Sequence, residues 1–314
     1  MTVHVLRDAP PPELAAALAR FEEQFTYPLG PGRTFRISHG DDYPRFFRAM
    51  GAGACFVAER KGEVAGVVGA ALRPLWTPAG PTRATLYLGD LKLSQSARRL
   101  FTLPLLAHEV WRWARGRADA AFGVVMDGTP VTPLRYTGLL GIPQFQEVGR
   151  IRVFRLATGD GDRIATEWVA DGDRVGPLHR QLTAGRYAGA GGVPAERSET
   201  APLWLAAPDD SACGRLEDTR RAKRLVADDG VEMRSAHLSC FAYRTPDAGV
   251  ALLRVALKHG ARRGFPALFV AVPEPDGEAF CHRLAGDELV VAPATVFGAE
   301  LESAPYWHID TAEI

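Results

Sequence analysis

Asp90 stands inside an apolar run, Leu88-Gly89-Asp90-Leu91-Lys92-Leu93. Aspartate is depleted in strands, so a carboxyl here needs either a local partner, such as Lys92 or a loop arginine, or a proton-transfer role. Arg98 and Arg99 follow, and after them Leu103, Leu106, Val110 and Trp113 recur at helical spacing. A strand that feeds a helix start through a short loop makes an anion site, because the first turn has unpaired amides and the positive end of the helix dipole. Two arginines at that opening add charged contacts to a phosphate. A plain solvated loop is the competing reading.

Other chemistry-bearing residues read more quietly. His237 and Cys240 are three apart on a strand pattern, so strict alternation turns them to opposite faces and disfavours a His/Cys pair. His108, mid-helix beside Glu109, reads as a surface or core-edge histidine. The run Asp218-Thr219-Arg220-Arg221-Ala222-Lys223-Arg224 reads as a solvated turn or, alternatively, an anion patch. Trp307 reads as core.

The elements that must position these residues can be set out in order. A strand is expected over Thr2–Arg7, a helix over Glu13–Phe25, a Gly/Pro loop over Tyr27–Gly40 and a second helix over Asp41–Met50. Ala54–Arg60 and Val64–Leu72 form a hairpin around Lys61-Gly62-Glu63. After a loop over Leu75–Thr82 come the strand Thr85–Leu93, the loop Ser94–Arg99 and the helix Leu100–Ala114. Ala120–Met126 is a buried strand, parallel to its neighbour and reached through that helix. A helix over Pro130–Leu140 and a closing strand over Gln146–Leu156 complete the first half.

This stretch resembles the GCN5-related N-acetyltransferases, the GNAT superfamily. The resemblance rests on Asp90-Leu91-Lys92-Leu93 as the strand, on Arg98 at the motif arginine, and on the order strand, helix, helix, three strands, helix, strand, helix, strand over about half of the chain. In place of the motif glycines stand Arg99, Phe101 and Leu103. The resemblance implies a mixed α/β fold, each module a mostly antiparallel sheet flanked by helices. It also implies acetyl-CoA or another acyl-CoA as donor, on Leu91, Leu93, Arg98, Arg99, Leu100, Phe101, Thr102 and Leu103, with no metal. Acyl transfer to an amine then needs a base, for which Asp90 is the candidate, a backbone donor for the thioester oxygen, and a proton donor for the thiolate. The family's tyrosine falls on Tyr136, with Gly141 one residue later than the family pattern and Thr129 at the family's Asn.

The second half echoes the first. Thr158–Asp173 is polar and turn-rich and sets expected domains of 1–157 and 158–314. A helix is expected over Val175–Leu182, and a loop or mobile lid over Gly185–Thr200. Strands follow over Leu203–Ala206, Ala222–Ala227 and Met233–Arg244, then a helix Val250–His259 and a strand Phe265–Val272. A short helix Glu278–Leu284 and strands Val290–Glu300 and Tyr306–Ile314 end the sequence. Strand, loop, helix and apolar strand thus recur, a weak internal repeat of two GNAT-like modules, the second degenerate.

Composition bounds the rest. The 314 residues are 46% apolar and 24% charged, an ordinary globular balance. Lys+Arg and Asp+Glu are equal at 37, giving no global electrostatic reason to bind nucleic acid or anionic membrane. Cys55, Cys213, Cys240 and Cys281 have no metal-ligand spacing, which fits reduced thiols in a cytoplasmic protein. No signal peptide is read at the start. The function implied is an N-acyltransferase acting on a small-molecule or peptide amine. The alternatives are a GNAT-fold binding or regulatory protein without turnover, and a transferase taking its acyl group from a carrier protein.

Overall fold

A computed structural model describes residues 1–28, 34–99, 101–129, 131–136, 138, 142–159, 166–189 and 192–314, with only the backbone described at 98, 99 and 166. Twelve strands carry the main sheet: β1 Thr2–Leu6, β2 Ala52–Arg60, β3 Glu63–Trp76, β4 Thr82–Leu93, β5 Ala120–Met126, β6 Gln146–Ala157, β7 Val169–Ala170, β8 Leu203–Ala206, β9 Ala212–Glu217, β10 Ala236–Tyr243, β11 Ala267–Pro273 and β12 Leu289–Ala299. Their order is β1-β2-β3-β4-β5-β12-β6-β11-β10-β9-β8-β7. The two short strands Tyr187–Gly189 and Trp307–His308 pair with each other and the first also with β3.

The sheet runs unbroken through both halves because β12, from the end of the sequence, lies between β5 and β6 of the first half. β6 in turn pairs along its far edge with β11. Central strands flanked on both faces read as near-continuous apolar runs, and β9 and β10 are buried at every residue. The helix Thr102–Ala114 crosses from β4 to the parallel strand β5, and Pro246–Arg262 crosses from β10 to the parallel strand β11. Thr245 caps the second helix by accepting from the Ala248 amide. The first helix buries Thr102, Leu106, Val110 and Ala114, leaving Leu103 and Trp113 at the margin of the expected face.

Several expectations are corrected. Tyr27–Gly40 is not all loop: Thr34–Ser38 is a strand, held by pairing with Arg224–Ala227 from the second half, a non-local partner that local turn signals cannot reveal. The helix expected over Asp41–Met50 is one turn, Arg45–Arg48. The helix expected over Pro130–Leu140 is a single 3-10 turn, Pro133–Arg135, with Pro130, Thr137 and residues 139–141 outside the described residues. Prolines at 130 and 133 and the left-handed Gly138 break the pattern. The 218–224 run is no solvated turn: Asp218, Thr219 and Lys223 are buried. The expected lid over Gly185–Thr200 holds the fully buried Arg197, which anchors it by ion pairs. Ala212–Glu217, between the expected strands Leu203–Ala206 and Ala222–Ala227, is itself a strand, with Arg215 and Glu217 buried as a pair.

Candidate functional site

β4 and β5 are hydrogen-bonded only over Thr85↔Ala120, Leu86↔Ala121 and Tyr87↔Phe122, and then diverge. Tyr87 and Phe122, the last pair, meet edge to face with centroids 5.3 Å apart. Three residues past Tyr87, the β3–β4 register slips: Asp90 and Leu91 stand opposite the single residue Val68. Asp90 takes a left-handed φ of 55°, a conformation that Asp tolerates better than most residues. This is a β-bulge, which takes a residue out of the ladder and re-aims the strand.

The bulge is held by a buried polar cluster. The Tyr43 hydroxyl donates to the Asp90 carboxylate, and Lys92 Nζ lies 2.7 Å from it and 3.6 Å from Glu22. His39 donates its backbone amide and Nδ1 to Glu22, the latter at 2.6 Å, and stacks on Tyr43. Burial alone raises the Asp90 pKa, but Lys92, His39 and the Tyr43 hydroxyl overcome it and hold the carboxyl at about 2. The donor atoms of Glu22, His39 and Asp90 lie within 4.8 Å of one another, close enough to ligate a cation, and the Lys92 ammonium supplies that charge.

The second half repeats this geometry. β10 and β11 are bonded over Ala236↔Leu268 and His237↔Phe269 and then part. Three residues past His237, Cys240 and Phe241 face the single Gly214, and Cys240 has φ 49°. That bulge removes the alternation on which the sequence reading of His237 and Cys240 relied. Each serves a separate contact: His237 Nδ1 meets Thr311 Oγ1 at 3.0 Å, and the Cys240 amide donates to Asp310 Oδ1 at 2.7 Å. Thr311 also donates to the Phe269 carbonyl at 3.3 Å. Asp310 and Thr311 therefore fill the second fork. At the first fork no side chain among the described residues accepts from the Asp90 or Leu91 amide.

Between the forks lies a polar cavity. Tyr87 and Phe122 form one wall, and Arg73, His308, Asp310 and Glu313 line the rest with His179. Arg73 pairs with Glu313, which also meets Arg197 at 3.0 Å; Arg197 meets Glu217 at 2.8 Å, and Glu217 meets Arg215 at 2.9 Å. This lattice joins β3 to the second half. Burial pushes the Asp310 carboxyl up to about 6, with the adjacent Glu313 charge adding to the effect. Burial opposes ionisation of Glu313 as well, but Arg73 and Arg197 outweigh it and keep its pKa below the usual range. Burial holds His179 and His308 neutral, at about 3 and about 4.

The other expected site residues fall as follows. Leu91 is exposed beside the bulge and Leu93 partly buried. Arg98 and Arg99 lie on the 3-10 turn Ser96–Arg99, and Leu100 is outside the described residues. Phe101 precedes the first helical residue, gives it no side-chain cap and is 74% exposed. Thr102 is buried and Leu103 partly buried in the first turn. Tyr136 closes the 3-10 turn after β5 and is partly buried. Sequence reading missed Tyr43, Tyr87, Phe122, Asp310 and Glu313, which come together only through the sheet; the sole local signal was an acid in the apolar Trp307-His308-Ile309-Asp310 run.

No protein-family model matches the sequence, and no curated protein matches it. Solved structures do. Saccharomyces cerevisiae N-myristoyltransferase with bound myristoyl-CoA superposes with a TM-score of 0.63 at 10% identity, covering 96% of this chain and 84% of that one. A Pyrococcus horikoshii protein proposed to be an acetyltransferase gives 0.57 at 12% identity over 99% and 95%. An Enterococcus faecalis protein of unknown function, proposed to be an N-acyltransferase, gives 0.52 at 8% identity over 95% and 72%.

The chain has a tandem GNAT-like fold. The mixed sheet with flanking helices expected from the element order is present over nearly the whole length. In these terms the crossover helices Thr102–Ala114 and Pro246–Arg262 belong to the two GNAT-like repeats, each preceded by its own fork and bulge. Among the described residues no helix is long and apolar enough to cross a membrane.

Proposed function

We propose that the protein is an N-acyltransferase that carries an acyl group from acetyl-CoA or another acyl-CoA to an amine, with the donor on the first half, residues 1–157. One observation carries this reading: of two equivalent forks, the second is filled by Asp310 and Thr311, while among the described residues the first has no side chain on its bulge amides. A bulge amide is the backbone donor that acyl transfer needs for the thioester oxygen as it gains charge. The fold likeness to N-acyltransferase structures agrees with it.

In this reading the pantetheine arm lies along Leu91 and Leu93. The diphosphate meets the uncapped helix start, Leu100 to Leu103 with Phe101 and Thr102, and Arg98 and Arg99 add charge. Asp90, tied to Tyr43 and Lys92, fixes the bulge. Tyr136, on the turn after β5, is assigned as proton donor to the departing thiolate. A cytoplasmic location suits the free thiols and this donor.

The second reading, a GNAT-fold binding protein without turnover, is favoured by one feature, the bulky exposed Phe101 where the family motif has glycine. Thermal unfolding with and without acetyl-CoA tests the first. Saturation at a hundred times the dissociation constant stabilises by about 2.7 kcal/mol, and Arg98→Glu removes the shift. Binding with no transfer to any amine favours the second reading.

A further inference from the structure

In the reading above the CoA donor lies outside the cavity between the two forks, yet that cavity touches the first fork directly. Its Tyr87–Phe122 wall is the last bonded pair before β4 and β5 part, the place a thioester would reach in the reading above. On the opposite side stands Asp310, whose Oδ1 is fixed by the Cys240 amide. The bulge of the second half thus holds a carboxyl in place of a donor's carbonyl. Around that carboxyl lie Glu313, Arg215, Arg197 and Glu217, with His308 two residues away and Arg73 and Tyr87 in the cavity. The charges of Glu313 and Glu217 are matched by the three arginines, and the two histidines facing the cavity are neutral. Asp310 is the third acid beside these three arginines; it feels the Arg215 and Arg197 charges, but among the described residues it makes no direct ion pair, and its fixed contact is the Cys240 amide.

The geometry points to Asp310 as the general base for the acceptor, and to this cavity, whose roughly 10 Å³ holds one water-sized group, as the seat of the amino head of a small primary amine presented to the first fork. The inference rests on the acyltransferase reading. An ammonium entering the cavity gives one N–H proton to Asp310. The freed nitrogen attacks the thioester carbon, the C–N bond forms and the C–S bond breaks. The nitrogen loses its second proton, the CoA thiolate leaves as the thiol after taking up a proton, and Asp310 returns its own to solvent. Burial beside Glu313 suits this cycle, because it lets the carboxyl hold a proton that an ordinary aspartate would release.

The test compares two acceptors in the intact protein with acetyl-CoA. Methylamine is cationic at neutral pH and needs a base; hydroxylamine is weakly basic and already neutral. Asp310→Asn should keep acetyl-CoA binding, measured by thermal shift, and should lose transfer to methylamine by about 100-fold or more. It should keep transfer to hydroxylamine within a few-fold. The wild-type rate with methylamine should also fall below about pH 6, and the variant should lack that limb. Equal loss with both amines would make Asp310 structural and overturn the inference. So would an Asp310→Asn protein with wild-type methylamine transfer, or a wild type that binds acetyl-CoA and acylates neither amine; in those cases the donor reading stands. A wild type that does not bind acetyl-CoA overturns both.

Discussion

Asp90 and Cys240 are structural counterparts. Each is the first of two residues facing one across a β-bulge, each has a left-handed φ (55° and 49°), and each follows by three residues the last bonded pair of a parallel fork. The two halves differ in what the bulge meets. Asp90 turns its own carboxylate to Tyr43 and Lys92. Cys240 gives its amide to a carboxylate supplied by the end segment. The second bulge is thus occupied by the chain itself, while the first has no such side chain on its amides among the described residues.

Asp90→Ala leaves the buried Lys92 ammonium short of its nearest counter-charge. Breaking a buried pair by removing one partner costs about 3–5 kcal/mol. Urea denaturation should show that loss, and Asp90→Ala combined with Lys92→Met should recover a large part of it. Equal stability of the single and double variants would show that Glu22 alone satisfies Lys92.

Acid should act on the buried groups in opposed directions. Asp90 and Glu217 both have folded pKa values depressed to about 2. Their stabilisation is present above the unfolded values and is lost as pH falls from about 4 through 2, about 2–3 kcal/mol each. Asp310 is raised to about 6, so the folded state binds its proton more tightly, and this group adds stability as pH falls through about 6. The buried neutral His179, His237 and His308, held at about 3, about 3 and about 4, act the other way, because their stabilisation is lost as pH falls below an unfolded value of about 6.5. Denaturation midpoints should therefore fall with acid from about pH 6.5, and those of Asp310→Asn should fall more steeply between about pH 6 and 4. Equal slopes for the two proteins over that range would contradict the raised Asp310 carboxyl.

How much of this was legible beforehand follows from what is local. The Asp90 strand, the helix after it and the parallel β5 announced themselves by periodicity, and the repeat by its order of elements. The helix expected over Pro130–Leu140 failed where prolines compete with an apolar pattern. Thr34–Ser38 was hidden because its partner lies about 190 residues away in sequence. The acids of the end segment were hidden for the same reason: Asp310 is a site residue only because β12 folds back between β5 and β6 and delivers it to the Cys240 bulge.

The β2–β3 hairpin closes on Lys61 and Gly62, both at positive φ (55° and 79°), between Arg60 and Glu63. A two-residue turn of this kind favours Asn-Gly. Lys61→Asn should raise stability by about 0.5–1 kcal/mol and leave acetyl-CoA binding and transfer unchanged, as judged by thermal unfolding and CoA release. A loss of stability would argue for a side-chain role of Lys61.

Phe101 stands exposed at the uncapped start of the Thr102–Ala114 helix. Phe101→Asp puts a negative charge where the donor's diphosphate is proposed to bind, and should weaken acetyl-CoA about two- to five-fold, since such a charge at a helix terminus is worth about 0.3–1 kcal/mol. Phe101→Gly should bind at least as well as wild type. Equal affinities for the two variants would move the diphosphate away from this helix.

Calorimetric titration of acetyl-CoA into the intact protein tests the central claim most directly. The account predicts one donor per chain, with binding abolished by Arg98→Glu and kept by Asp310→Asn. Two equivalent sites, or binding that survives Arg98→Glu and is lost on substituting Asp310, would place the donor at the second fork and contradict it.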